Sequence, residues 1–360
     1  MLVSLPITLN VNKSFDAPDT VWTVIAADHQ KLMKGMGFWW TLSITPWPSL
    51  VFLTASAIAL PVYLLVVVAV LNGRRHNPRF KATYYHLLLS QALTDFLAMP
   101  AYVLGFIFRS MMLFTQFYWR NASLMAPFAF NSNHLFLMLR CFGDFLVAIQ
   151  RYLILCQSNS ALQRIVVKLP FLAVLLIHWI PPILVSLPIT LDGNKSFDAP
   201  HTVRVVIGAN HTKMADLIEV IYQLVIFFVS AVAYFNVLKL IVQNRISRGL
   251  TREMRLSLVV MGQSVAFGMS LTYYITQFIV VHLDLTDAIF QIRNYYPLLT
   301  GFESYINPFL HLFLNSDVQN EVLRLLRGAS FTARSESQSE RAQNSSNRIV
   351  GTSGTAGTAR

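Results

Sequence analysis

The sequence predicts an all-α membrane protein, a bundle of seven transmembrane helices with a short amphipathic helix after the seventh span. Three observations predict it. Of 360 residues 54% are hydrophobic and only 12% charged, with a mean hydropathy of +0.51, whereas a soluble domain carries about 25% charge. Seven apolar runs are long enough to cross a bilayer, which takes about 20 residues each. The net charge of +11 is scattered in short clusters at the ends of those runs. It forms no basic face for nucleic acid, so its cations read as topology signals and the lipid bilayer as the chain's solvent.

Residues 1–46 read as an extracellular amino-terminal segment. Met1 to Leu9 is too short for a secretory leader and lacks a basic start, which leaves the first span as the insertion signal. The segment also contains a copy: residues 2–32 duplicate 184–214, with 22 of 31 positions identical. The copied piece is the end of the fourth span with the loop behind it. A solenoid or an inverted-repeat transporter would repeat whole units, so the duplication reads as a copied exon or a fused gene model.

Residues 47–314 hold the spans, at about 48–71, 82–108, 126–156, 169–188, 217–242, 257–281 and 292–314. One set of alternate loops carries Arg74, Arg75, Arg79, Lys81, Arg164, Lys168, Arg245, Arg248, Arg252 and Arg255, ten cations. The other set carries six, Arg109, Arg120, Lys195, Arg204, Lys213 and Arg293, against the acids Asp192, Asp198, Asp216, Glu219, Asp284 and Asp287. The positive-inside rule puts the ten inside, hence the amino terminus outside. The N-x-S/T sequons at Asn12, Asn121, Asn194 and Asn210 fall on the outer side, where glycosylation occurs. Cys141 and Cys156 stand 15 residues apart on one helix, too far to bond to each other.

Residues 315–328 read as an amphipathic helix on the membrane surface. Ser316 and Gln319 make a capping box, and Val318, Val322, Leu325 and Leu326 recur at helical spacing beside Arg324 and Arg327. Residues 329–360 are Ser, Thr, Gly, Ala and Arg with almost nothing apolar, a composition for a disordered cytoplasmic tail.

Charges inside spans are costly and mark function or pairing. They are Asp95, Arg140, Asp144, Arg151 and Glu303, the last beside Asn307 and Pro308. Arg140 and Asp144, four apart, can pair along their own helix, while Asp95 and Glu303 need partners from other helices. Such a set serves either as a structural polar core or as a switch whose pairings differ between two states. Arg151 sits at the inner end of the third span, where a cytoplasmic partner can reach it. With Asp95 in LTDFLA, Trp179 and Pro181 in the fourth span, and Asn307-Pro308-Phe309-Leu310-His311 closing the seventh, it completes an ordered set of motifs.

In these motifs and their order, over residues 45–328, the chain resembles a rhodopsin-like G-protein-coupled receptor. The resemblance is closest to the nematode serpentine chemoreceptors of the Srg superfamily, class V among them. It implies that Arg151 is the arginine of the D/E-R-Y motif, that Asp95 is the second-span aspartate that binds sodium in many relatives, and that Asn307 and Pro308 open N-P-x-x-Y. It also implies a chemosensory receptor in the plasma membrane, with sensory cilia as its site, that binds an unidentified small molecule or peptide outside. Gln150, Arg151, Tyr152, Arg245, Arg248 and Arg252 would then meet the alpha subunit of a heterotrimeric G protein inside. The departures are Gln150 in place of the acid that restrains the arginine, His311 in place of the tyrosine, no proline in the fifth or sixth span, and no cysteine at the outer end of the third. Arg140 falls where a sodium-site residue is expected, so its guanidinium is expected to take the ion's place beside Asp95.

The candidate ligand pocket is the mixed aromatic and polar lining of the outer halves, with Asn131, Asn133, His134, Tyr273, Tyr274, Gln277, Tyr295 and Tyr296 at its centre. The outer third span carries no acid, which speaks against an amine ligand. No catalytic residues, cofactor or metal site are expected. Cys141-Phe142-Gly143-Asp144 lacks the first glycine of the G-x-G-D protease motif, no span carries G-x-S-G, and H-E-x-x-H does not occur. A seven-span ligand-gated cation channel with its amino terminus inside is the rival reading, and a non-functional gene fusion a third. Orientation separates the first two.

Overall fold

The computed structural model describes residues 47–157, 159–191, 195–200, 203–243, 250–283 and 285–327. The amino-terminal segment 1–46 with its copied stretch, and the tail from 328 onward, lie outside the described residues. Seven long helices account for most of what is described: α1 Trp47–His76, α2 Thr83–Tyr102, α3 Ala122–Cys156, α4 Phe171–Leu191, α5 Ala209–Gln243, α6 Leu250–His282 and α7 Thr286–Leu314. A shorter α8, Ser316–Leu326, follows. Five of the long helices are by length and composition apolar enough to cross a membrane: α1, α2 with its extension to Ser110, α4, α5 and α6. The other two are also long enough to cross, α3 at 35 residues and α7 at 29, but hold Arg140, Asp144, Arg151 and Glu303.

Pro100, which has no N–H to give the helix, precedes a π turn at Val103–Ile107 that carries α2 into a last helical turn, Phe108–Ser110. The helices α5, α6 and α7 begin at Ala209, Leu250 and Thr286, earlier than the apolar runs suggested. Helical hydrogen bonds continue past the last apolar residue wherever polar side chains can reach water or one another. This corrects the placement of Asp216 and Glu219, read from sequence as outer-loop charges. Both lie on α5, 4% and 0% exposed.

The helix α3 is the central strut, packed on α2, α4, α5 and α6, while α6 packs on α5 and α7. One apolar cluster joins Phe52, Tyr63, Met99, Leu137, Phe267 and Tyr296. A second gathers Val66, Val70, Phe80, Tyr84, Val147, Val260, Val318 and Val322 and so seats α8 under the bundle. The cap of α8 is Asn315, whose side-chain oxygen accepts from the Asp317 and Val318 amides at 3.2 and 3.4 Å. That replaces the expected capping box, because Gln319 turns back to donate to the Phe313 carbonyl at 2.9 Å. A two-residue antiparallel ladder, β1 Ser196–Phe197 with β2 Val205–Val206, follows α4. Its Phe197 packs with Tyr118, Ala126 and Val203. Tyr118 lies in a short helix, Thr115–Arg120, between α2 and α3. Burial pushes its phenol pKa up, against the lowering pull of Arg109.

At Gly143 the helices α2, α3 and α4 meet closely. A β-carbon there would stand 2.8 Å from Gln91 Cγ and 2.9 Å from His178 Nε2. That histidine is itself fixed, its Nε2 donating to the Leu139 carbonyl at 2.8 Å and its Nδ1 accepting from Ser90 at 2.7 Å. Gly143→Val should therefore cost about 1–3 kcal/mol through overpacking, read as a lower melting temperature of the purified protein. An unchanged melting temperature would show that the three helices can part without loss.

Candidate functional site

The polar residues form three layers along the bundle. In the middle layer, Arg140 Nε donates to Asp95 Oδ1 at 2.7 Å, with Tyr63 donating to Oδ2 at 2.7 Å. Asp95 thus ties α1, α2 and α3 at one point. The pairing of Arg140 with Asp144 along α3 does not form. Asp144 instead accepts from Gln91 Nε2 at 2.8 Å, because the guanidinium reaches the more enclosed carboxylate across the helix interface. Glu303 and Asn307 of α7 line the same small cavity with Asp95, Arg140, Asp144, Gln91 and Gln263, a space of about 20 Å³ and so about one water in size. Pro308 lies inside α7 directly after Asn307.

The inner layer is closed. Arg151 is 3% exposed, its guanidinium 4.1 Å from the centre of the Tyr84 ring. The Tyr84 hydroxyl is 3.4 Å from His311 Nδ1, which joins the inner ends of α2, α3 and α7. Arg151 was expected where a cytoplasmic partner could reach it; the structure instead buries it, because an aromatic ring on α2 offers its guanidinium a face. Gln150 is buried beside it, and Tyr152 is half-buried and accepts from Gln157 at 3.1 Å. Arg245 and Arg248 lie outside the described residues, as does the side chain of Arg252. Beneath this layer α8 is held by Asn72 Nδ2 donating to Glu321 at 2.7 Å and by Tyr85 donating to Asp317 at 3.2 Å.

The outer layer links residues that the sequence grouped as a pocket. Tyr274 donates to the Tyr296 hydroxyl at 2.9 Å, which donates to Asn133 Oδ1 at 2.8 Å. Asn131 accepts from Lys195 Nζ at 2.8 Å, and Tyr273 stacks obliquely on Tyr296 at 5.5 Å between ring centres. Gln277 donates to Asp216 Oδ1 at 3.2 Å, and His134 Nδ1 contacts Glu219 Oε1. Tyr295 is turned outward. It is 53% exposed, because adjacent residues of a helix face about 100° apart and Tyr296 takes the inward position. Outer α3 carries no acid, but α5 brings two, Asp216 and Glu219, into this layer. Of the four sequons, Asn121 is exposed at the start of α3, Asn12 and Asn194 lie outside the described residues, and Asn210 falls in the first turn of α5 with its side chain undescribed.

The sequence reading missed Tyr63, Tyr84, Gln91, His178, Asp216 and Glu219. The last two had a signal: with Gln223 they recur at three- and four-residue steps in a mainly apolar stretch of α5, which marks one face. No match was found among curated proteins. The family model described as "Serpentine type 7TM GPCR chemoreceptor Srv" matches residues 52–328. That stretch takes in every helix above apart from the first turn of α1, together with all three polar layers, and the chain belongs to the serpentine chemoreceptor family Srv.

Proposed function

We propose that the chain is a chemosensory receptor that binds a small ligand between the outer halves of α3, α5, α6 and α7 and activates a heterotrimeric G protein from its inner face. In this reading all seven long helices of 47–314 cross the plasma membrane with the amino terminus outside. The α8 helix, within 315–328, lies on the inner surface, and 329–360 is a cytoplasmic tail. Glycans sit on Asn121 and the other outer sequons.

The observation that carries the reading is the enclosure of Arg151 against Tyr84 and near His311. A buried guanidinium at the inner end of α3, with neutral Gln150 beside it, suits a closed state that releases the arginine when helices part. A ligand that binds the open state better shifts the population toward it. The Tyr84 ring would do the restraining that the missing acid does elsewhere. Asp95, Arg140, Asp144, Glu303 and Asn307 would form the polar hinge between ligand layer and inner layer.

The test uses the full chain with an epitope at its amino terminus, expressed in intact cells. The epitope should be labelled without permeabilisation, and a glycosidase should shift the protein's mobility. Any ligand-evoked or basal G-protein signal should fall to background in Arg151→Ala at equal surface level. Labelling only after permeabilisation would put the amino terminus inside and favour the channel reading. An undiminished signal in Arg151→Ala would remove the role given to that residue.

A further inference from the structure

Asp216, Glu219 and Gln223 occupy one face of α5 and are all buried. Each carboxylate uses one oxygen, Glu219 on His134 and Asp216 on Gln277. Glu219 Oε2, Asp216 Oδ2 and both amide atoms of Gln223 have no hydrogen-bond partner among the described residues, and neither has the Tyr273 hydroxyl facing them from α6. Buried polar atoms are almost always paired with protein, water or ligand, and leaving a charged one unmet is costly.

The chemistry of the unmet atoms is lopsided. Glu219 Oε2, Asp216 Oδ2 and Gln223 Oε1 accept only, whereas Gln223 Nε2 and the Tyr273 hydroxyl can donate. The charges facing Asp216 are Glu219, Arg293 and His134, so two acids share one permanent cation. A further cation of the outer side, Lys195, is already engaged with Asn131 Oδ1 and the Ile189 carbonyl. Aromatic walls stand close by, since Tyr273, Tyr274 and Tyr296 all lie within electrostatic range of Glu219. A group with several N–H donors and a positive charge meets these atoms, and rings of this kind favour a cation over their faces.

We propose that the two carboxylates of α5 bind the ammonium or guanidinium group of an organic cation, with Glu219 as its principal acceptor. This deepens the receptor reading and rests on it.

The test is thermal unfolding of the full chain in lipid nanodiscs, titrated with 2-phenylethylamine, hexylamine and agmatine, and with 2-phenylethanol and 1-hexanol as neutral counterparts. At least one of the amines should raise the melting temperature while both alcohols leave it unchanged. Losing a charge-assisted hydrogen bond in Glu219→Gln should raise the half-saturating amine concentration about ten- to hundredfold. Asp216→Asn should raise it less, and it carries the test alone should Glu219→Gln fail to fold. No stabilisation by any amine, equal stabilisation by an alcohol, or unaltered amine binding in the variants would each overturn the proposal and leave water as the partner of these atoms. The melting readout needs no G protein. Amine binding without Arg151-dependent signalling would strike the coupling reading alone, and Arg151-dependent signalling to neutral compounds without amine binding would strike this proposal alone.

Discussion

Arg140→Ala is expected to lose most of its folded receptor. Asp95 is buried to 2% exposure, and removing its guanidinium leaves only the Tyr63 hydroxyl on its carboxylate. Breaking a buried pair by removing one partner costs about 3–5 kcal/mol, a large share of the roughly 5–15 kcal/mol that holds a domain together. Asp95→Ala should cost less, because Asp144 and Glu303 stay beside the Arg140 guanidinium. The double variant Asp95→Asn with Arg140→Gln leaves neither charge stranded, so it should recover most of the loss. Surface expression and detergent-resistant melting check all three. Equal losses in the single and double variants would show that shape, not charge, is what the site supplies.

Tyr84→Leu is expected to raise signalling in the absence of ligand. The ring lies 4.1 Å from the Arg151 guanidinium, and a desolvated cation–π contact is worth about 2 kcal/mol, equivalent to about 30-fold in the balance between closed and open states. The leucine keeps apolar bulk in the inner cluster and removes the aromatic face and the hydroxyl. Tyr84→Phe keeps the ring over the Arg151 guanidinium and loses the 3.4 Å contact with His311, so its basal signal should stay near that of the wild type. The comparison is a G-protein reporter assay at matched surface levels. A silent Tyr84→Leu beside an equally silent Arg151→Ala would mean that the ring assists the arginine and does not restrain it.

The helices were legible in the sequence because each centres on a long, mainly apolar run, and Asp95, Arg140, Asp144, Arg151 and Glu303 were legible because a charge in such a run is conspicuous. Their partners were not. Tyr63, Gln91 and Tyr84 are ordinary residues for a buried helix, and nothing local says that one faces Asp95, another Asp144 and the third Arg151. The helix ends were the other loss. A charge just past an apolar run looks the same whether the backbone turns away or continues for two more turns, so Asp216 and Glu219 were assigned to solvent when α5 carries them inside. Asn133, Tyr274 and Tyr296, grouped from the sequence, do lie together, yet the acids of the same layer were overlooked for that one reason.

The concentration of charge on α3 and α7 also bears on how such a chain is made. Helices emerging one at a time from the ribosome meet the bilayer before their neighbours do, and a centrally placed Arg or Asp is then exposed to lipid at a cost of about 2.5–3.5 kcal/mol each on insertion scales. On the path proposed here, α1 and α2 enter unaided by virtue of their apolar length, and they bring Tyr63 and Asp95 with them. The third helix arrives with its arginine to a counterion already waiting, and the bond that later holds the bundle would first serve to admit α3 to the membrane.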